Sequence, residues 1–368
     1  MQHLLYLIAI VTYSARSLFF MIGAARERKR RTPASEAEPH VSIIVPARNE
    51  EHHIEECVQS LMAIEYPLDV MQIIVVNDRS TDSTGEVLSS LQKRYPRLII
   101  ATITNEGEKN LRGKAGALDV GCRMATGEII LLTDADCRVK PGWVRAHVRE
   151  YVDPSVGMVL AYTLAEGNSF FAHIQSVEWQ STHTMAAAAV NFRQYLGCYG
   201  NNMSVRRSVY ENVGGYAAIP FSVTEDLALL QTISGKGYVA RYLCTAESAV
   251  TTFALDTMKE YMAQHKRWTL GAKKLGFRAA AFVATSLALW SGIFAAIVYA
   301  EWWWIAVILG IRIIEDVLII APSLVILNKR HLLRYTVPAV LFFTCLELSL
   351  PFLIIDRTAV WKGQRFKM

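Results

Sequence analysis

The chain has 368 residues, 52% of them apolar and 19% charged, with 38 Lys and Arg against 33 Asp and Glu for a net charge of +5. Ordinary soluble domains run at roughly 45–50% apolar and ~25% charged, so a disordered polar chain is excluded, while the surplus is too small for spanning helices throughout. The positive charge is too weak and too scattered to argue for nucleic acid as the main partner, and a membrane is the better candidate.

Residues 3–25 are mostly apolar and carry one Lys, Arg, Asp or Glu, Arg16, and Arg26-Glu27-Arg28-Lys29-Arg30-Arg31 follows at once. That length suits the roughly 20 residues needed to cross a bilayer. The basic side is cytoplasmic by the positive-inside rule, and a cleaved signal peptide would carry its charges first, so residues 1–25 read as an uncleaved transmembrane anchor. Residues 26–40 form a basic and polar linker with Pro33 and Pro39. From Val41 the pattern changes to short runs rich in Ile, Val and Leu at 41–45, 72–76, 98–103, 128–133 and 158–162, separated by helix-compatible segments. Runs that do not strictly alternate suit buried parallel strands, so residues 41–255 predict an α/β domain whose ligand site lies beyond the carboxyl ends of its strands. Residues 256–278 mix Met258, Tyr261, Met262 and Trp268 with Lys259, Lys266, Arg267, Lys273 and Lys274, as an amphipathic interfacial helix would. Residues 279–356 hold two to three transmembrane segments, and 357–368 form a basic tail. The six cysteines show no metal-ligand spacing and read as reduced structural thiols.

Several polar clusters interrupt this pattern. Asp78 follows the second strand, where it can accept hydrogen bonds from a base or ribose, while Thr81 or Asp82 caps the next helix; a plain cap explains the cluster equally well. Asp134 and Asp136 in Thr133-Asp134-Ala135-Asp136 point the same way only if the chain stays extended. Paired carboxylates suit Mg²⁺ or Mn²⁺ bridging to a diphosphate, and the alternative is a solvated acidic turn. Lys114 stands after Gly113 at a helix start without a P-loop ending, as an anion contact or a solvated first-turn lysine. Glu225 and Asp226 follow Thr224, a potential cap. Gln264 and Arg267 are three residues apart on one helical face beside Trp268, a spacing that interface binding alone does not require.

Taken in order, VPARNEE (Val45–Glu51), VNDRSTD (Val76–Asp82), GKAGALD (Gly113–Asp119), TDAD (Thr133–Asp136), TED (Thr224–Asp226) and QHKRW (Gln264–Trp268) resemble the membrane-integrated family 2 glycosyltransferases. GNNMSVRRSVYENVGGY (Gly200–Tyr216) is similar to that family's segment between metal motif and catalytic acid, and the Trp361–Phe366 tail to a WKGR-type ending. The resemblance implies an α/β GT-A nucleotide-diphospho-sugar transferase fold with an N-terminal transmembrane helix and C-terminal transmembrane helices. It implies an inverting, metal-dependent transfer from a UDP- or GDP-sugar. Ala47 and Glu50 would line the nucleoside pocket, Asp78 contact base or ribose, and Lys114 lie near the nucleotide. Asp134 would contact ribose or metal, and Asp136 would be the principal ligand of Mg²⁺ or Mn²⁺. Asp226 would be the general base, Gln264 and Arg267 would hold the diphosphate, and Trp268 would face the acceptor.

A small membrane part makes a poor channel for a polymer but can admit a lipid hydroxyl. The expected acceptor is therefore a membrane lipid receiving one sugar; a glycan acceptor in a short processive polysaccharide synthase is the alternative. The expected location is the cell (inner) membrane, multi-pass, with the catalytic domain cytoplasmic. A degenerate scaffold predicts loss of Asp136, Asp226 or Arg267, all of which are present. A nucleotidyltransferase has no need of the Gln-x-x-Arg-Trp helix.

Overall fold

A computed structural model describes residues 2–31, 33–353, 355–362 and 364–367; Gly363 of the tail motif lies outside the described residues. The elements run α1 (Gln2–Lys29), β1 (Val41–Ala47), α2 (Ile54–Met62), β2 (Met71–Asp78), α3 (Thr84–Arg94), β3 (Leu98–Ile103), α4 (Gly113–Met124) and β4 (Ile129–Thr133). There follow α5 (Trp143–Val148), β5 (Val156–Ala161), β6 (Thr163–Glu166), α6 (Phe170–Val190), β7 (Asn202–Arg206), α7 (Arg207–Asn212), α8 (Glu225–Gly235), β8 (Val239–Leu243) and β9 (Val250–Phe253). The chain ends with α9 (Met258–Ala272), α10 (Phe277–Val298), α11 (Trp302–Ile326), α12 (Thr336–Leu353), β10 (Thr358–Trp361) and β11 (Gln364–Lys367). These elements cluster into two compact units.

The first unit comprises residues 31–166, 197–254 and 358–368. Its seven-stranded sheet has the order β3-β2-β1-β4-β7-β5-β8. β1 pairs in parallel with β2 (Ile44 opposite Ile74) and with β4 (Ile44 opposite Leu132), and all three strands are largely buried. Burial on both faces explains their unbroken apolar runs. The five runs read from sequence appear as β1 to β5, but the sheet is mixed. β7 is antiparallel to both β4 and β5. Its Asn202 and Ser204 are fully buried, so the strand carries no apolar run to reveal it. Their polar atoms are satisfied instead. Trp143 Nε1 donates to Asn202 Oδ1 (2.9 Å), and the His147 ring lies between Ser204 Oγ (2.9 Å) and Asn202 Oδ1 (3.2 Å). The parallel arrangement puts the ends of β1 and β2 at one edge, together with the residues that follow β4.

The second unit comprises residues 1–30, 167–196 and 255–357 and is helical. Among the described residues, Gln2–Lys29, Phe277–Val298 and Arg330–Leu353 are long and apolar enough to cross a membrane. α6 packs against α1 through small residues: a Cβ on Gly23 would sit 2.3 Å from the Ala188 carbonyl oxygen, so glycine and the alanine tract 186–189 let the two backbones approach. α11 carries Arg312, Glu315 and Asp316 at i, i+3 and i+4. Arg312 is 2% exposed and its guanidinium is forked onto Glu347 of α12 at 2.8 and 3.0 Å. From α1, Tyr13 OH donates to Asp316 (2.7 Å) and Ser14 to Glu315 (2.6 Å). The charges thus face protein, as burial in an apolar setting requires.

Candidate active site

At the end of β1 the backbone turns through Asn49, whose φ of 53° lies in the left-handed region that asparagine tolerates better than most residues. This turn is tied to the loop after β2. Asn49 N–H donates to Ser80 Oγ (3.1 Å), Asn49 Oδ1 accepts from Thr81 N–H (2.8 Å), and Glu50 N–H donates to Thr84 Oγ1 (2.8 Å). Ala47 is buried at the strand end. The Glu50 carboxylate meets Lys362 Nζ at 2.8 Å; burial pushes this acid up to about 7 against the pull of that lysine. Asp78 is 1% exposed, and both of its oxygens are occupied, one by Lys109 Nζ (3.0 Å) and the other by Arg79 Nε (2.9 Å).

α4 opens at Gly113, which has φ of 65° and lies under the Phe366 ring. The next residue, Lys114, reaches Asp134 at 2.6 and 2.7 Å and Glu225 at 3.9 Å. Burial alone would lower the lysine pKa, but the Asp134 and Glu225 carboxylates outweigh it and hold the ammonium protonated. The acidic motif after β4 does not stay extended. Cys137 N–H donates to the Asp134 carbonyl (3.1 Å), so Asp134 and Asp136 are neighbours across a turn, with Ala135 buried between them. Asp136 accepts from Thr252 Oγ1 (3.3 Å) and from the Cys137 thiol (3.4 Å). Its carboxyl is raised above the usual range by burial and then by Asp134.

Asp226 stands in the first turn of α8. Its oxygens accept backbone N–H groups from Gly200 (2.6 Å) and Leu227 (2.7 Å). Burial raises its pKa, opposed by Lys114 and by those two amides. A Cβ on Gly200 would lie 3.2 Å from Asp226 Cβ, so this loop depends on glycine for its close approach. The neighbouring Asn201 carbonyl accepts from Thr133 Oγ1 (2.9 Å), which joins the Asp226 support to the end of β4. Glu225 is pushed up to about 7 by burial, with Lys114 pulling it down. A cavity of about 550 Å³ opens beside it, lined by Arg112, Ala115, Phe221, Glu225, Arg365 and Phe366 among others.

Ala47, Glu50, Asp78, Lys114, Asp134, Asp136 and Asp226 therefore all belong to the α/β unit, while Gln264, Arg267 and Trp268 sit half-buried on α9 of the helical unit. Lys109 escapes the sequence reading, which places Gly200 and Lys362 only within the Gly200–Tyr216 and Trp361–Phe366 segments and gives neither a partner. A lysine among Glu106, Glu108 and Arg112 looks solvated, and only the fold brings Lys362 across the chain to Glu50.

Among the described residues no group of three or more His, Cys, Asp or Glu side chains forms a ready metal cage. Lys114 already pairs with Asp134, whereas Asp136 contacts a hydroxyl and a thiol among the described residues. One or two carboxylates that leave the remaining positions to phosphate oxygens and water fit a hard ion such as Mg²⁺ or Mn²⁺.

Residues 42–214 match the glycosyl transferase family 2 domain, and residues 129–353 match glycosyl transferase family group 2. The probable glycosyltransferase YdaM of Bacillus subtilis is 28% identical over 240 residues, covering 63% of this chain and 55% of its own. A beta-monoglucosyldiacylglycerol synthase of Nostoc sp. is 30% identical over 255 residues, 67% of this chain and 52% of that protein. The chain thus spans about half the length of these curated relatives. Among solved structures, a mannosyltransferase from Pyrobaculum calidifontis in complex with GDP-Man and Mn²⁺ aligns with TM-score 0.63 and 21% identity, over 92% of this chain and 99% of that one, a likeness of fold.

Proposed function

The chain belongs to glycosyl transferase family group 2 and has a GT-A-like α/β fold, and from that premise we propose that it is an inverting transferase moving one sugar from a UDP- or GDP-sugar to a hydroxyl of a membrane lipid. The observation that carries this reading is the cluster in the α/β unit: a carboxylate held by two backbone amides, and a lysine joining the acidic turn after β4 to the acidic pair on α8. The amides orient the Asp226 oxygens, and burial gives the group a basicity above that of a free aspartate. Asp226 takes the proton of the acceptor hydroxyl as that oxygen bonds to the anomeric carbon; the bond from carbon to diphosphate oxygen breaks on the opposite face, and the configuration inverts. Lys114 pairs with Asp134, lies 3.9 Å from Glu225, and serves as an ammonium near the phosphates. Asp136, flanked by Asp134, would hold Mg²⁺ or Mn²⁺, which when bound supplies neutralisation of the departing diphosphate.

Ala47, Glu50 and Asp78 serve the nucleoside end, the last through the Lys109 and Arg79 groups that it holds. Gln264 and Arg267 hold the diphosphate, and Trp268 offers an apolar face to the acceptor. A lipid acceptor is supported by the three long apolar helices and by the similarity to a protein named for monoglucosyldiacylglycerol synthesis. The basic run after α1 supports a multi-pass protein of the cell (inner) membrane with its catalytic unit in the cytoplasm.

The test is incubation of the purified protein with radiolabelled UDP- and GDP-sugars, native membrane lipids and Mg²⁺ or Mn²⁺, followed by sizing of the product. A single-sugar glycolipid is expected. Label found only in long polymer would overturn single transfer and favour the processive alternative.

A further inference from the structure

Three residues of α9 face α6, and they follow the spacing i, i+4, i+7: Tyr261, His265 and Trp268. Consecutive residues of α6 receive them. Tyr261 OH donates to Glu178 Oε2 (2.8 Å), and His265 Nε2 meets Glu178 Oε1 at 2.5 Å. The Trp268 ring stands edge-on to Trp179 at 5.6 Å and to His265 at 5.1 Å. The other nitrogen of His265 lies 2.9 Å from the Tyr261 carbonyl oxygen. A carbonyl and a carboxylate both accept, so the ring donates at both nitrogens and is an imidazolium paired with a carboxylate. The side chains of His265 and Glu178 are 7% and 9% exposed, which makes this a buried, geometrically closed clamp.

Gln264 and Arg267 each precede a clamped residue by one position, so they form the adjacent row, about 100° around the helix. Besides Tyr261 and His265, only Leu270 and Gly271 of α9 are buried. The Tyr261 ring also packs against Phe171 of α6 and Phe342 of α12, and to that apolar packing the polar clamp adds a directional contact. We infer that Glu178 is a positioning residue of the transfer reaction: by gripping His265 and Tyr261 it sets the rotation of α9 and hence the direction in which Gln264 and Arg267 are presented. This rests on the reading above that Gln264 and Arg267 hold the donor diphosphate. Nothing in the chain sequence near Gln264 announces Glu178, which lies 87 residues from His265.

The experiment compares full-length wild type, Glu178→Gln, Tyr261→Phe and Arg267→Ala in lipid nanodiscs with Mg²⁺, measuring Kd for UDP and GDP and, in parallel, for UMP and GMP. Arg267→Ala and Glu178→Gln should both weaken diphosphate binding, the latter about tenfold, the scale of a lost hydrogen bond to a charged group. Tyr261→Phe should weaken it less, and monophosphate binding should not change in any variant. Weak diphosphate binding in Arg267→Ala with wild-type affinity in Glu178→Gln would overturn the positioning role and leave the proposed role of Arg267 standing. Equal loss of mono- and diphosphate binding in Glu178→Gln would also overturn it, by showing general damage. Wild-type diphosphate binding in Arg267→Ala would remove the premise and the inference together. If Glu178→Gln does not fold, Glu178→Asp, which keeps the charge, is read by the same criteria.

Discussion

Asp226 combines two properties that usually oppose each other: burial raises its pKa, while two backbone N–H groups at 2.6 and 2.7 Å favour the ionised form. The net shift is upward. A general base must be ionised to work, so kcat/KM should fall on the acid side, through a pKa above the ordinary carboxylate value of about 3.9. Replacing Asp226 by Asn should lower kcat by at least about a hundredfold, the low end for removing a general base, with nucleotide Kd unchanged; near-wild-type turnover would exclude this residue as the base. Gly200→Ala provides a finer probe, because the added methyl would press on Asp226 at 3.2 Å. It should lower kcat with little change in melting temperature. The acidic residues and Lys114 were legible as motifs, but what each one touches was not, since partners such as Gly200, Lys109 and Lys362 are remote in the chain.

Two helices of the helical unit behave alike: α9 and α11 are both held by buried ion pairs to a neighbour. For α9 the pair has a pH signature. Burial would lower the pKa of His265, yet the Glu178 carboxylate and the Tyr261 carbonyl outweigh it, and the net shift is upward from 6.5. A histidine raised in the folded state contributes stability that is fully present below its unfolded pKa and is lost as pH rises through the folded value. The melting temperature should therefore decline from about pH 6.5 upward, and His265→Gln should flatten that slope. For α11, Arg312→Ala strands Glu347 in an apolar setting and should cost about 3–5 kcal/mol, measured by chemical unfolding in detergent. Replacing Arg312 and Glu347 together by Met and Leu should restore most of it. The helices themselves were legible from hydropathy and length. Their partners were not, because an isolated charge in an apolar stretch carries no mark of which helix will answer it.

At the scale of the molecule, the ends of the chain matter in a way that composition alone conceals. Residues 357–368 read as a basic tail, yet from Thr358 on they cluster with the α/β unit, where Lys362 pairs with Glu50 and Phe366 lies over Gly113 and against Phe221 (5.2 Å between rings). Lys362→Ala should raise KM for the donor sugar several-fold with a smaller change in kcat, if Glu50 serves the nucleoside end. Similarly, residues 167–196 lie inside the span expected for the catalytic domain but cluster with the apolar helices. Both placements follow from contacts between distant segments, which local patterning does not encode.

The amino-acid order by itself determined the class of the protein. Periodic apolar runs require buried strands or long apolar helices whatever their partners, and the ordered short motifs carry the family resemblance. Tertiary structure decided the rest: that β7 enters the sheet antiparallel with its polar side chains satisfied by Trp143 and His147, that Lys114 joins Asp134 to Glu225, and that Glu178 grips His265. The physical reason is common to all three. A buried polar or charged group is tolerable only with a specific partner in place, and that partner comes from elsewhere in the chain, so its identity exists only once the chain has folded.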